Sequence, residues 1–121
     1  MATVRYMVDD VSEAVAFYVS KLGFELEEDY RPAMAILVRG DLTLWVAGPT
    51  ASASRPMPDG ARPSPGGWSR FVVTTDDLES LVSRLKDDGA SFRNDTVEQG
   101  GRKQILLEDP SGNVVELFQP A

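Results

Sequence analysis

Glu116 stands in the middle of an apolar strand, Val114-Val115-Glu116-Leu117-Phe118, that follows the polar turn Asp109-Pro110-Ser111-Gly112-Asn113. Side chains alternate along a strand, so Val114, Glu116 and Phe118 face one way while Val115 and Leu117 face the other. An ionised carboxylate in such a row is costly unless it is hydrated, paired or bound to a cation, which makes Glu116 the first candidate for chemistry. Arg70, at the start of Arg70-Phe71-Val72-Val73-Thr74-Thr75, is its candidate partner. Meeting across a cleft, the two charges would satisfy each other and orient polar ligand groups without a metal. The alternative is two surface charges of no consequence.

Composition removes most other chemistry. Histidine is absent, and with it the usual neutral-pH general base, the commonest nitrogen ligand for metals and any Ser-His-Asp arrangement. Cysteine is absent too, so there is no thiolate nucleophile, disulfide framework or Cys-type zinc site. Nineteen acidic against twelve basic residues leave a formal charge of -7, a field that repels nucleic acid backbones. No apolar run is long enough to span a membrane and no secretory signal is visible, so the expected compartment is the cytoplasm. The glycines of Gly66-Gly67 and Gly100-Gly101-Arg102-Lys103 lack the strand-to-helix setting and lysine-hydroxyl ending of a phosphate loop, and read as turns.

The elements that must position these residues follow a repeated order. Residues 3–8 read as a strand with Thr3, Arg5 and Met7 on one face and Val4, Tyr6 and Val8 on the other, more apolar face. Asp10 is a candidate N-cap, with Glu13 at the capping-box position. Val11, Ala14, Val15, Tyr18, Val19 and Leu22 then recur at helical spacing until Gly23. A short strand over Phe24–Glu28 and a turn spanning Glu28–Pro32 lead to a hairpin of Met34–Arg39 and Leu42–Ala47 around Gly40-Asp41. Residues 48–67 hold five of the eight prolines and four of the ten glycines without any regular period. They form a connector that lines a site, reaches another subunit or is simply a solvated linker.

After the connector the pattern restarts. Asp76-Asp77 echoes Asp9-Asp10 at an offset of 67 residues; Leu78, Leu81, Val82 and Leu85 echo the first helix; Gly89 and Phe92 echo Gly23 and Phe24. Gln104–Glu108 and Val114–Phe118 form the closing hairpin. The expected fold is α+β, a single domain over 1–121 built from two tandem βαβββ modules: module one 1–48, connector 49–67, module two 68–121. Each helix covers one face of its strands, and the other faces form a curved mixed sheet around a cleft. Arg5 and Met7, then Arg70, Val72 and Thr74, then Glu116 and Phe118 would line it. Trp45 and Trp68 serve either as packing or as flat apolar walls for a ligand, with Trp68 preferred because it borders both the connector and the strand of Arg70.

In this order the chain resembles the vicinal oxygen chelate superfamily, which contains glyoxalase I, bleomycin resistance proteins and extradiol dioxygenases. The matching text is Val8-Asp9-Asp10-Val11, Ala16-Phe17-Tyr18, Leu22-Gly23-Phe24, Asp76-Asp77-Leu78, Leu85 to Gly89, and Asp109 to Leu117. The resemblance implies paired βαβββ units, a half-barrel cleft and a homodimer. It also implies metal-ligand positions near Thr3, near Leu44 or Trp45, near Arg70 and at Glu116. Only Glu116 is a credible ligand there, since a guanidinium has no free lone pair and one carboxylate does not hold a divalent cation against water.

No metal and no cofactor are therefore expected. The leading reading is a metal-independent protein that binds an apolar or aromatic small molecule through Arg5, Met7, Trp45, Trp68, Arg70, Val72, Glu116 and Phe118. Within the resemblance, its concrete form is sequestration of an antibiotic or toxic metabolite. An enzyme is the alternative, a glyoxalase-like lyase or isomerase with Glu116 as general base and Arg70 as electrostatic clamp. A non-catalytic structural or regulatory dimer is the third.

Overall fold

The computed structural model describes residues 2–121, which divide into two compact units, one up to Gly66 and one from Gly67 to Ala121. The first holds β1 (Ala2–Met7), α1 (Val11–Leu22), β2 (Glu25–Tyr30), β3 (Met34–Arg39) and β4 (Leu42–Ala47). The second holds β5 (Arg70–Thr74), α2 (Leu78–Asp87), β6 (Ser91–Phe92), β7 (Val97–Gln99), β8 (Arg102–Glu108) and β9 (Val114–Gln119). Each module thus carries its own mixed sheet in an α+β arrangement. Strand order is β1-β4-β3-β2 in the first and β5-β9-β8-β6 in the second, with β7 also paired to β8. In both, the opening strand lies parallel to the last and all other pairs are antiparallel.

Local chemistry explains the helices. The Asp10 carboxylate accepts from the Glu13 amide at 3.2 Å and Asp77 from the Ser80 amide at 3.1 Å, each satisfying an amide that the helix leaves open. Gly23, at φ 74°, ends α1 in the left-handed conformation that glycine adopts without a Cβ clash. The apolar stripe of α1, Val11, Ala14, Val15, Tyr18 and Leu22, is buried on Tyr6, Ala35, Leu37, Leu44 and Val46. Tyr18 meets Phe24 edge to face at 5.4 Å. In the second module Leu78, Val82 and Leu85 bury against Phe71, Val73, Val115 and Leu117. Val19 does not belong to the stripe. It is 38% exposed, one residue beyond the face that meets the sheet.

Several boundaries differ from expectation. β2 runs from Glu25 to Tyr30, through the acidic residues expected to form a turn, and every one of its side chains is exposed. It is the sheet's outer strand, paired only to β3 with a register shift between Leu26 and Glu28, so its carboxylates stay in water while the backbone bonds to its neighbour. The matching strand of the second module is split into β6 and β7. The Asn94 side-chain oxygen accepts the Leu106 amide at 2.9 Å, standing in for a ladder bond across the gap. β5 ends at Thr74 instead of Thr75. The connector, expected without helix, contains the 3₁₀ turn Ser52–Ser54, whose Ser54 hydroxyl donates to the Gly48 carbonyl at 2.7 Å.

Among the described residues, no helix is long and apolar enough to cross a membrane.

Candidate functional site

Each sheet buries one face under its helix and leaves the other uncovered by it, so the candidate residues fall on two open faces. On the first sheet, parallel pairing sets Arg5 opposite Trp45 and Met7 opposite Ala47. The Arg5 guanidinium lies 4.9 Å from the centroid of the Trp45 ring, within range of the attraction between a cation and an aromatic face. Ile36 flanks Trp45 on β3. Met7 is half-buried, with its sulfur 3.5 Å from the Ser54 hydroxyl. Leu44 is fully buried on the opposite, helix-facing side.

On the second sheet, Val72 stands opposite Glu116 and Arg70 opposite Val114. One diagonal step along the parallel pair therefore brings Arg70 to Glu116, and its Nε donates to Oε1 at 3.0 Å. The two meet side by side on neighbouring strands of one sheet, not across a cleft, because the first strand of the module pairs directly with the last. Their side chains are 32% and 13% exposed, so solvent screens the attraction and the pair contributes geometry more than stability. Arg70 also donates to the Trp68 carbonyl at 3.5 Å. Val72 is 49% exposed, and Phe118 is half-buried between Thr74 and Gln104.

Trp68 is 68% exposed, so packing does not account for it. Its ring lies 4.5 Å from the guanidinium carbon of Arg93. Arg93 donates from Nε to Glu108 at 2.8 Å, from Nη1 to the Gly67 carbonyl at 2.8 Å and from Nη2 to the Gly112 carbonyl at 2.9 Å. One guanidinium thus ties the end of the connector, the β8–β9 turn and β8 together and backs the indole with a fixed positive charge. Sequence reasoning missed Arg93 and Glu108. The alternation of Arg93 with the half-buried Phe92 is the signal that would have placed it on the open face.

The eight candidate residues therefore form two sets. Arg5, Met7 and Trp45 sit on the first sheet; Trp68, Arg70, Val72, Glu116 and Phe118 sit on or beside the second.

The positions that the family resemblance assigns to a metal do not suit one. Thr3, Trp45, Arg70 and Glu116 supply a single carboxylate, and that carboxylate is held by a guanidinium. Among the described residues, no three His, Cys, Asp or Glu side chains are grouped so as to hold a metal ion.

Comparison with known proteins agrees with this architecture. Residues 1–117 match the family model described as Glyoxalase/Bleomycin resistance protein/Dioxygenase superfamily. The chain is 31% identical over 121 residues to an uncharacterized protein of Shewanella frigidimarina (strain NCIMB 400), covering 96% of this chain and 90% of that protein. It is 26% identical over 121 residues to a bleomycin resistance protein of Geobacillus stearothermophilus, covering 93% and 90%. Among solved structures, TnmS3, an antibiotic binding protein from Streptomyces sp. CB03234, aligns with a TM-score of 0.74 at 25% identity, over 98% of this chain and 93% of that one.

Proposed function

Because the chain belongs to the glyoxalase/bleomycin resistance protein/dioxygenase superfamily, we propose that it is a metal-independent small-molecule-binding protein that sequesters an apolar or aromatic antibiotic or toxic metabolite. The observation that carries this reading is the open face of the second sheet. There an exposed indole, Val72 and Phe118 surround an arginine and a glutamate that already neutralise each other. Such a surface gains by losing water to a flat apolar ligand and has few uncompensated charges to desolvate. The similarity to a bleomycin resistance protein and to an antibiotic binding protein supports the same class of ligand. In this reading the protein works as a cytoplasmic homodimer and removes its ligand from solution without transforming it.

Titration calorimetry against a panel of polycyclic antibiotics and hydrophobic metabolites tests the proposal. Saturable binding to at least one member is expected, weakened about tenfold or more in Trp68→Ala, the loss typical of an aromatic anchor. Absence of saturable binding across the panel overturns it. Light scattering at micromolar concentration checks the dimer.

A second reading is favoured by one contact: Arg70 engages a single oxygen of Glu116. In it, Glu116 acts as general base and Arg70 as the electrostatic clamp of an isomerase or lyase acting on a carbonyl compound. Glu116→Gln separates the two readings. Turnover that survives this change sinks the enzyme reading, whereas binding that survives it is what sequestration expects.

A further inference from the structure

At the end of the second sheet's open face away from Trp68 there is a concavity of about 410 Å³, within the range of small-molecule sites. Val97, Gln99, Arg102, Gln104 and Phe118 wall it. Strand register explains why they converge. Gln99 is opposite Arg102, Val97 is opposite Gln104, and Gln104 is opposite Phe118, so β7, β8 and β9 each present side chains to the same side. The floor is the half-buried Phe118 ring beside exposed Val97, and the polar rim is two carboxamides and a guanidinium.

Charge separates Arg102 from the other arginines of this face. Arg70 is held by Glu116 and Arg93 by Glu108. Among the described residues no carboxylate lies within ion-pair distance of Arg102. Its neighbour Glu98 points to the other side of β7, where it lines a groove with Lys86 and Lys103. In a chain with a formal charge of -7, an uncompensated guanidinium in the same concavity as an aromatic ring selects for one negative group on a flat apolar body.

We propose that this concavity binds a planar aromatic monocarboxylate, its ring against Phe118 and Val97 and its carboxylate on Arg102, with the Gln99 and Gln104 side-chain amides as further donors. The assignment rests on the small-molecule-binding reading above and specifies the ligand class for one end of the same face. Arg102 is exposed, so its preference for an anion is modest, about fivefold.

The test uses the full chain and two matched probes, 2-naphthoate and 2-naphthamide, read by titration calorimetry and by amide and side-chain NMR shifts. Naphthoate is expected to bind about fivefold more tightly than naphthamide, to shift resonances of Gln99, Arg102, Gln104 and Phe118, and to lose that advantage over naphthamide in Arg102→Met. Equal affinities in the unaltered protein, or shifts confined to the Trp68 end, overturn the carboxylate assignment and leave the broader reading standing. Failure of both probes to perturb this face also overturns the assignment, while the antibiotic panel decides the broader reading separately.

Discussion

In the first module the arginine of the opening strand lies over a tryptophan ring; in the second it is tied to a glutamate. Both arginines sit on a strand parallel to the last strand of their module, and both point away from the helix. The partner differs because Arg5 is in direct register with Trp45, whereas Arg70 begins its strand opposite Val114 and reaches diagonally to Glu116. A repeated topology thus conserves where a side chain can go and leaves open what it meets. The second face has gained a further layer, the Arg93 junction beneath Trp68, that has no counterpart described on the first.

The deepest test of the comparison is whether the helix-facing sides are as equivalent as the open sides are different. Leu44 and Leu117 occupy the last strands of the two modules and are both fully buried. Leu44→Ala and Leu117→Ala should each cost about 3 kcal/mol in denaturant unfolding, the usual loss for a buried leucine that leaves a cavity. A large cost at one position and less than about 1 kcal/mol at the other would break the equivalence.

A smaller effect separates the two arginine arrangements. Arg93→Ala removes three hydrogen bonds to a largely buried guanidinium and should cost about 2 kcal/mol. Arg5→Ala removes one exposed cation–ring contact and should cost about 0.5 kcal/mol. In a Trp45→Phe background, fluorescence anisotropy of Trp68 should fall in Arg93→Ala and not in Arg5→Ala. An unchanged Trp68 signal would show that Arg93 does not hold the indole.

The smallest effect belongs to the second strand of each module. Arg31 donates from its side chain to both Asp29 oxygens, at 2.8 and 2.6 Å, and from its backbone amide at 3.1 Å, holding the Asp29 carboxyl below its ordinary value. A folded-state value below the unfolded one gives stability that is complete above the ordinary aspartate range near 3.9 and is lost as pH falls through the lower folded value. The pair lies at the solvent-exposed surface, so the change is slight. In the second module the matching strand is interrupted, and the break is bridged by Asn94, which does not titrate. Acid unfolding of Asp29→Asn should match the native protein's pH dependence above pH 5 and show a shallower loss below about pH 4. A difference in slope near neutrality would contradict this assignment.

Much of this fold was legible in local patterns. The capping Asp10, the glycine that ends α1 and the hairpin of Met34–Arg39 with Leu42–Ala47 lie where spacing alone puts them. β2 was misread because acidic residues signal a turn only when nothing nearby can hold the backbone, and β3 holds it. The break between β6 and β7 depends on Asn94 meeting Leu106, twelve residues away. Arg93 escaped notice for a similar reason: two of its acceptors are the carbonyls of Gly67 and Gly112, 26 and 19 residues distant, and backbone carbonyls carry no sequence identity.

What the sequence determined alone was the repeat, the buried face of each helix and a side-chain inventory without histidine or cysteine, since composition and helical or alternating periodicity are properties of neighbouring residues. The tertiary structure decided that Arg70 lies beside Glu116 within one sheet, that Arg93 backs Trp68 and that Arg102 lacks an acidic partner among the described residues. Adjacency across strands is set by which strands pair and in what register, and that choice minimises the free energy of a whole module, not of any segment within it.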